Sequence, residues 1–175
     1  MKSLNKYINE KLKISKKQYN YCPQTKEELQ DLMKQLIKER GNEGDFNDID
    51  TSEITDMSKL FYDMKDFNGN ISGWNVSNVE NMNCMFINCE SFNQPLNDWD
   101  VSKVKYMNSM FNGCELFNQP LDKWDVSKVT DMDSMFWECY KFNQILYKWN
   151  VSKVKNIDFM FYECPIEEKY KPKFK

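Results

Sequence analysis

Apolar and polar residues follow one another along this chain in a pattern that returns at a fixed step. Phenylalanines stand at 67, 92, 117 and 142, each 25 residues after the last. Aligned on them, residues 67–91 read FNGNISGWNVSNVENMNCMFINCES and 92–116 read FNQPLNDWDVSKVKYMNSMFNGCEL. Residues 117–141 read FNQPLDKWDVSKVTDMDSMFWECYK and 142–166 read FNQILYKWNVSKVKNIDFMFYECPI. A worn copy, NEGDFNDIDTSEITDMSKLFYDMKD, occupies 42–66 and puts Ile49 at the Trp place, Ile54 at a Val place and Phe61 at the second Phe place. Four full copies and one degenerate copy make a repeat array, and terminal copies are expected to drift because one of their faces lacks a neighbour.

A unit this short cannot bury its own apolar face, so the units must stack and align equivalent side chains in columns. The columns are Phe67/Phe92/Phe117/Phe142, Trp74/Trp99/Trp124/Trp149, Val76/Val101/Val126/Val151 and Val79/Val104/Val129/Val154. Met82/Met107/Met132/Ile157 and the Met-Phe pairs beginning at Met85, Met110, Met135 and Met160 complete the wall. Within a unit, V-S-x-V predicts a short strand. M-x-x-M-F-x-x-C has the three- and four-residue spacing of a helical turn. Pro95 and Pro120 fix the crossing to the next unit. The expected fold class is therefore an α/β repeat solenoid, leucine-rich-repeat-like, with short parallel strands, short helical turns and an N-terminal helical cap. A pure β-solenoid is the rival. Strand-paired units would lie about 4.8 Å apart.

The flanks divide the rest. Residues 25–41, TKEELQDLMKQLIKERG, carry a capping-box pair in Thr25 and Glu28, an apolar stripe through Leu29, Leu32, Met33, Leu36 and Ile37, and Gly41 at the stop. They predict a helix that caps the first unit. Residues 1–24 form an amphipathic segment (Leu4, Tyr7, Ile8, Leu12) and a linker, 42–166 the five repeats, and 167–175 a charged tail.

Composition narrows the chemistry. The formal net charge is −3, so no global basic field points to nucleic acid. There is no His, the side chain best suited to proton transfer near neutral pH and the commonest metal ligand. No run of about 18 apolar residues predicts a membrane span. The polar opening, MKSLNKYINEKLKIS, predicts no secretory leader and hence a cytoplasmic or virion-associated location, with the cell surface as the alternative.

The unit FNQPLNDWDVSKVKYMNSMFNGC and its copies closely resemble the approximately 25-residue repeat of BspA-like surface proteins and of mycoplasma and Listeria lipoproteins. The resemblance covers 42–166. It implies a leucine-rich-repeat-like fold and, from surface members, adhesion and host-protein binding. It implies no catalytic residues. The polar amphipathic opening also resembles those of some phage-encoded proteins.

Several columns carry candidate chemistry. Cys89, Cys114, Cys139 and Cys164 are read as buried thiols, with disulfides or a metal site as the other readings. The Asn column (Asn68, Asn93, Asn118, Asn143) and the Ser column (Ser77, Ser102, Ser127, Ser152) are expected to satisfy backbone groups at turns. A Ca²⁺ ladder on Asp100 and Asp125 is broken by Asn75 and Asn150. Specificity belongs to the variable positions after the second Val. Glu80, Lys105, Tyr106, Thr130, Asp131 and Asp133 make the candidate binding face. No cofactor is called for. The expected function is a non-catalytic protein-binding or scaffold module, intracellular or phage-associated, with an unidentified protein partner. The alternative is an extracellular adhesin-like module for host protein or glycan. If the Trp column is core, Trp124→Ala should cost about 3–5 kcal/mol in a denaturant melt, and an unchanged melting temperature would remove Trp124 from the core.

Overall fold

The computed structural model describes residues 19–174, so the Leu4–Tyr7–Ile8–Leu12 stripe lies outside the described residues. Helix α1 runs over Lys26–Arg40. Thr25 is extended, and its side-chain oxygen accepts the Glu28 N–H at 3.2 Å. The Glu28 carboxylate reaches back to the Gln24 N–H at 2.7 Å, one residue before the cap rather than to the cap itself. At the other end Gly41, with φ 80°, returns its N–H to the Ile37 carbonyl at 2.8 Å. Glu27 and Glu28 sit in the first turn and Lys38 and Arg40 in the last, which suits the helix dipole.

Leu29, Met33 and Leu36 bury one face of α1 in the core of the repeats, and Lys26 donates to Ser58 Oγ at 2.6 Å. Arg40 pins the C-terminal end. Its guanidinium makes two bonds to the Asp48 carboxylate, at 2.8 and 3.1 Å, and one to the Asp45 carbonyl at 2.7 Å. Beside the helix, Tyr21 pairs in parallel with Ile49, so 19–24 and α1 together cover the first coil.

The repeats stack in register, but not as the expected α/β solenoid of parallel strands and helical turns. Outside α1, the only regular element among the described residues is a single 3₁₀ turn, Glu168–Tyr170. Neighbouring coils touch at isolated parallel bridges, Asp56↔Asn81, Asn81↔Tyr106, Tyr106↔Asp131 and Asp131↔Asn156, none of which extends into a strand. The V-S-x-V segment is a turn: the Val79 N–H closes on the Val76 carbonyl at 2.9 Å, and Ser77 N–H donates to Asn75 Oδ1 at 3.1 Å. The same closure recurs at Val104 and Val129.

The Met-Phe segment fails to be helical for a backbone reason. Lys59, Cys84, Ser109, Ser134 and Phe159 have φ of 52–58°, and four residues later Asp63, Asn88, Gly113, Glu138 and Glu163 have φ of 53–71°. A left-handed residue at every fourth place turns successive peptide planes out of helical alignment. The amides then alternate. Those of Met82, Cys84, Phe86 and Asn88 donate to Tyr106, Asn108, Met110 and Asn112 of the next coil at 2.8–2.9 Å. Those of Met85, Ile87 and Cys89 close turns within their own coil, on Met82, Cys84 and Phe86.

Side chains complete the register. The Phe67–Phe92–Phe117–Phe142 rings stack with centroids 5.9–6.0 Å apart, and Phe61–Phe86–Phe111–Phe136–Phe161 at 5.4–5.7 Å. Each Trp of the column is at most 5% exposed, and its indole N–H donates to a carbonyl of the preceding coil: Trp74 to Phe46, Trp99 to Ile71, Trp124 to Leu96, Trp149 to Leu121. The Asn column spans coils too. Asn68, Asn93 and Asn118 each accept, on Oδ1, the N–H of the Asn one coil on, at 3.0 Å. The Ser column works differently from expectation: the acceptor is the Asx two residues earlier, and Ser supplies its backbone N–H.

One exchange of volume marks the first coil. Phe46 fills the column that Ile71, Leu96, Leu121 and Leu146 occupy later. The larger ring needs space, and Gly69 supplies it; a Cβ there would lie 2.3 Å from Phe46 Cε2 and 2.8 Å from a Phe67 ring carbon. The equivalent positions in later coils carry Gln94, Gln119 and Gln144. Gly69→Ala should therefore destabilise by about 1–3 kcal/mol through overpacking. Adding Phe46→Leu should recover part of that loss in a double-mutant cycle, and strictly additive melts would show that the two positions do not share the space.

Candidate interaction surface

The expected binding residues lie on columns that the backbone sets one coil apart. Glu80 N–H donates to the Thr55 carbonyl, Lys105 N–H to Glu80, Thr130 N–H to Lys105 and Lys155 N–H to Thr130, at 2.8–2.9 Å. Their side chains consequently form a row along the stack. Glu80 and Lys105 meet at 2.7 Å, half-exposed, so they neutralise each other, and the contact holds the Glu80 carboxyl below and the Lys105 ammonium above their usual ranges. Thr130 Oγ1 turns back to the Lys105 carbonyl at 3.2 Å.

The adjoining column runs through Asp56, Asn81, Tyr106, Asp131 and Asn156. Four of its members are occupied in Asx turns: Asp56 accepts from Ser58 N–H, Asn81 from Asn83, Asp131 from Asp133 and Asn156 from Asp158, at 2.7–3.2 Å. Asp131 is therefore tied to the backbone of Asp133, and its carboxylate shapes the coil as much as it faces solvent. Tyr106 breaks the series. Asn108 N–H goes instead to Asn83 Oδ1 at 3.0 Å, and the Tyr106 ring stands 44% exposed. Of the six candidate residues, Glu80, Lys105, Tyr106, Thr130 and Asp131 share this edge closely, and Asp133 follows two positions along the same coil as Asp131.

The remaining columns are consumed by structure. Cys89, Cys114 and Cys139 are fully buried free thiols, each donating to the Phe carbonyl of the preceding coil at 3.0 Å. Burial pushes all three thiols well up, and Cys164, at the half-covered end, to about 11. Asp100 and Asp125 hold Ser102 and Ser127 N–H in Asx turns, and those hydrogen bonds keep both carboxyls below the usual carboxylate range. Among the described residues no three Cys, Asp or Glu side chains gather as a metal-binding group, and no helix is long and apolar enough to cross a membrane.

A second surface escaped the reading of the sequence. At the last coil Phe159 is 60% exposed, and Trp137 and Tyr162 stand within 5.2 Å of each other or of its ring. The signal lay in the column Lys59/Cys84/Ser109/Ser134/Phe159, where a large aromatic replaces small or polar residues.

A family described as "Mycoplasma protein of unknown function, DUF285" matches residues 30–136 and 99–170. The chain belongs to the DUF285 family. The two matched stretches overlap and together take in most of α1 and the whole repeat array of this DUF285 chain, and the BspA-like repeat is related to that family. No curated protein and no solved structure matches the DUF285 chain.

Acid should test the carboxylates of this DUF285 chain. Asp48 is lowered, chiefly by its bonds to Arg40, and Asp100 and Asp125 by their Asx turns. A depressed carboxyl contributes stability above its unfolded value, near 4, and loses that contribution as pH falls through the folded value. The melting temperature should hold from neutral pH to about pH 4 and drop below it. Asp48→Asn should shrink that drop, and an equal acid response in wild type and variant would remove Asp48 as a contributor.

Proposed function

We propose that this chain is a non-catalytic binding or scaffold module whose specificity lies on the edge formed by Glu80, Lys105, Tyr106, Thr130, Asp131 and Asp133. The observation that carries this reading is the division of labour between columns. The Phe, Trp, Val, Met, Leu, Cys and Asn columns repeat because each is committed to packing or to a backbone bond in the next coil. The Thr55–Glu80–Lys105–Thr130–Lys155 row and its neighbour change from coil to coil, while the backbone beneath keeps the same spacing. A fixed frame with varied, partly exposed side chains is the arrangement by which repeat proteins make extended recognition surfaces. Tyr106 is its natural anchor, since aromatic residues dominate binding energy where they are buried on contact. The partner is a protein, met inside a cell or on a phage particle.

Site-specific photo-crosslinking tests this. A photoreactive residue at 106 should capture a defined protein from a mycoplasma lysate, and the same probe at Asp122, in a different part of the coil, should not. Lys105→Ala, made in the chain that carries the probe at 106, should weaken capture while leaving the melt nearly unchanged, because the half-exposed Glu80 pair it removes contributes little. Equal capture from both positions would sink the reading. Capture only of extracellular host proteins or glycans would transfer the module to an adhesin-like role at the cell surface.

A further inference from the structure

Each coil hands four amides to the coil that follows it. Met132, Ser134, Phe136 and Glu138 donate to Asn156, Asp158, Met160 and Tyr162 at 2.8–2.9 Å. In the last coil the equivalent N–H groups belong to Ile157, Phe159, Phe161 and Glu163, and they find no acceptor among the described residues. The chain after this coil covers only its other half. Glu167 N–H donates to Asn143 Oδ1 at 3.0 Å, Leu146 N–H donates to the Tyr170 carbonyl at 2.8 Å, and Phe174 stands at 149 + 25, in the Trp register, packed against the core. The amide row is left open, edged by the exposed Ile157 and Phe159. Phe161 stacks on Phe136 at 5.7 Å on its inner side, while its other neighbour of note is the Lys171 ammonium, 5.7 Å from its ring.

Hydrogen-bond polarity selects what can cover this row. The edge offers donors alone. Two copies meeting edge to edge would set donor against donor, so a two-fold dimer through this face gains no backbone bonds. Head-to-tail stacking of two copies needs the opposite edge, the carbonyls of Asp56, Ser58, Leu60 and Tyr62. That coil carries α1, with Lys26 held at Asp56 and Ser58. The remaining fit is the one made inside the chain at every coil-to-coil step: a turned segment presenting a carbonyl at every second residue and a Phe in register. An unpaired edge of this kind is a template for adding a further segment.

We propose that the open amide row of Ile157, Phe159, Phe161 and Glu163 binds, in trans, a V-S-x-V-x-x-M-x-x-M-F segment at the uncapped first coil of another repeat chain, where no preceding coil uses its carbonyls, so that they accept the four N–H groups and its Phe stacks on Phe161. This goes beyond the variable face and rests on different residues, so either can fail alone.

Residue-resolved amide exchange on the ¹⁵N-labelled full chain tests it, with a synthetic peptide of the sequence of residues 101–113 and a scrambled control. In the free chain the four amides should exchange faster than those of Met132, Ser134, Phe136 and Glu138. Saturating peptide should slow the four by about tenfold or more, and the scrambled peptide should not. Phe161→Asp should abolish the effect. Phe159→Ser, which installs the residue found at 109 and 134, keeps the fold and should weaken peptide binding. Free-chain amides already as slow as those of Met132, no peptide binding, or binding that leaves the four unprotected would each overturn the proposal.

Discussion

In every coil the amides of the Met-Phe segment serve two ends in turn. Those of Met82, Cys84, Phe86 and Asn88 cross to the next coil, and those of Met85, Ile87 and Cys89 close tight turns at home. The alternation depends on left-handed backbone at two places per coil, and nine residues other than glycine adopt it. Each costs about 1–2 kcal/mol relative to ordinary backbone. What holds them there is collective: four crossing hydrogen bonds, the indole and thiol bonds to carbonyls of the preceding coil, and two stacked Phe columns, all sharing one step of 25 residues. A coil with a different length would lose all of these together, which is why the array has no insertions.

The two ends solve the problem of a missing neighbour in different ways. At the start, 19–24 pairs with the first coil through Tyr21 and Ile49, and α1 buries Leu29, Met33 and Leu36 against the rest. The Phe46–Gly69 trade and the Arg40–Asp48 clamp belong to this adaptation. At the far end, the tail covers half a coil.

What could be read from the sequence was register, and what could not was backbone sign. The step of 25 names the Phe, Trp, Val, Met and Cys columns, because burial in a stack imposes the same residue type at each step. Thr25, Glu28 and Gly41 bracket α1 because capping groups are local. The strands and helical turns expected within each coil do not form. A spacing of three, as in V-x-x-V-x-x-M-x-x-M, belongs equally to a helix and to a run of three-residue turns. The deciding residues, Cys84, Ser109, Ser134, Asn88 and Glu138, carry no glycine to announce a positive φ. The candidate face was legible as a row of differing residues. That Asp131 is spent on the Asp133 N–H was not, since an Asx turn depends on local backbone rather than on composition. Phe159 was not legible as a surface feature because a large aromatic in a repeat normally signals core, and only the left-handed backbone at that place, φ 53°, goes with its exposure.

The one-way handing of amides has an electrical consequence. Peptide dipoles whose hydrogens all face the same neighbour add rather than cancel, as they do along a helix. The Met-Phe wall therefore has a positive pole at the last coil and a negative pole at the first. Charges of both signs stand near the poles: the Lys26 ammonium beside Asp56 and Ser58 on the negative side, and Asp158, Glu163 and the Lys171 ammonium on the positive side. A structure almost without helix thus carries a directional moment along its Met-Phe wall, while the amides of Glu80, Lys105, Thr130 and Lys155, which donate to the coil before, point the other way.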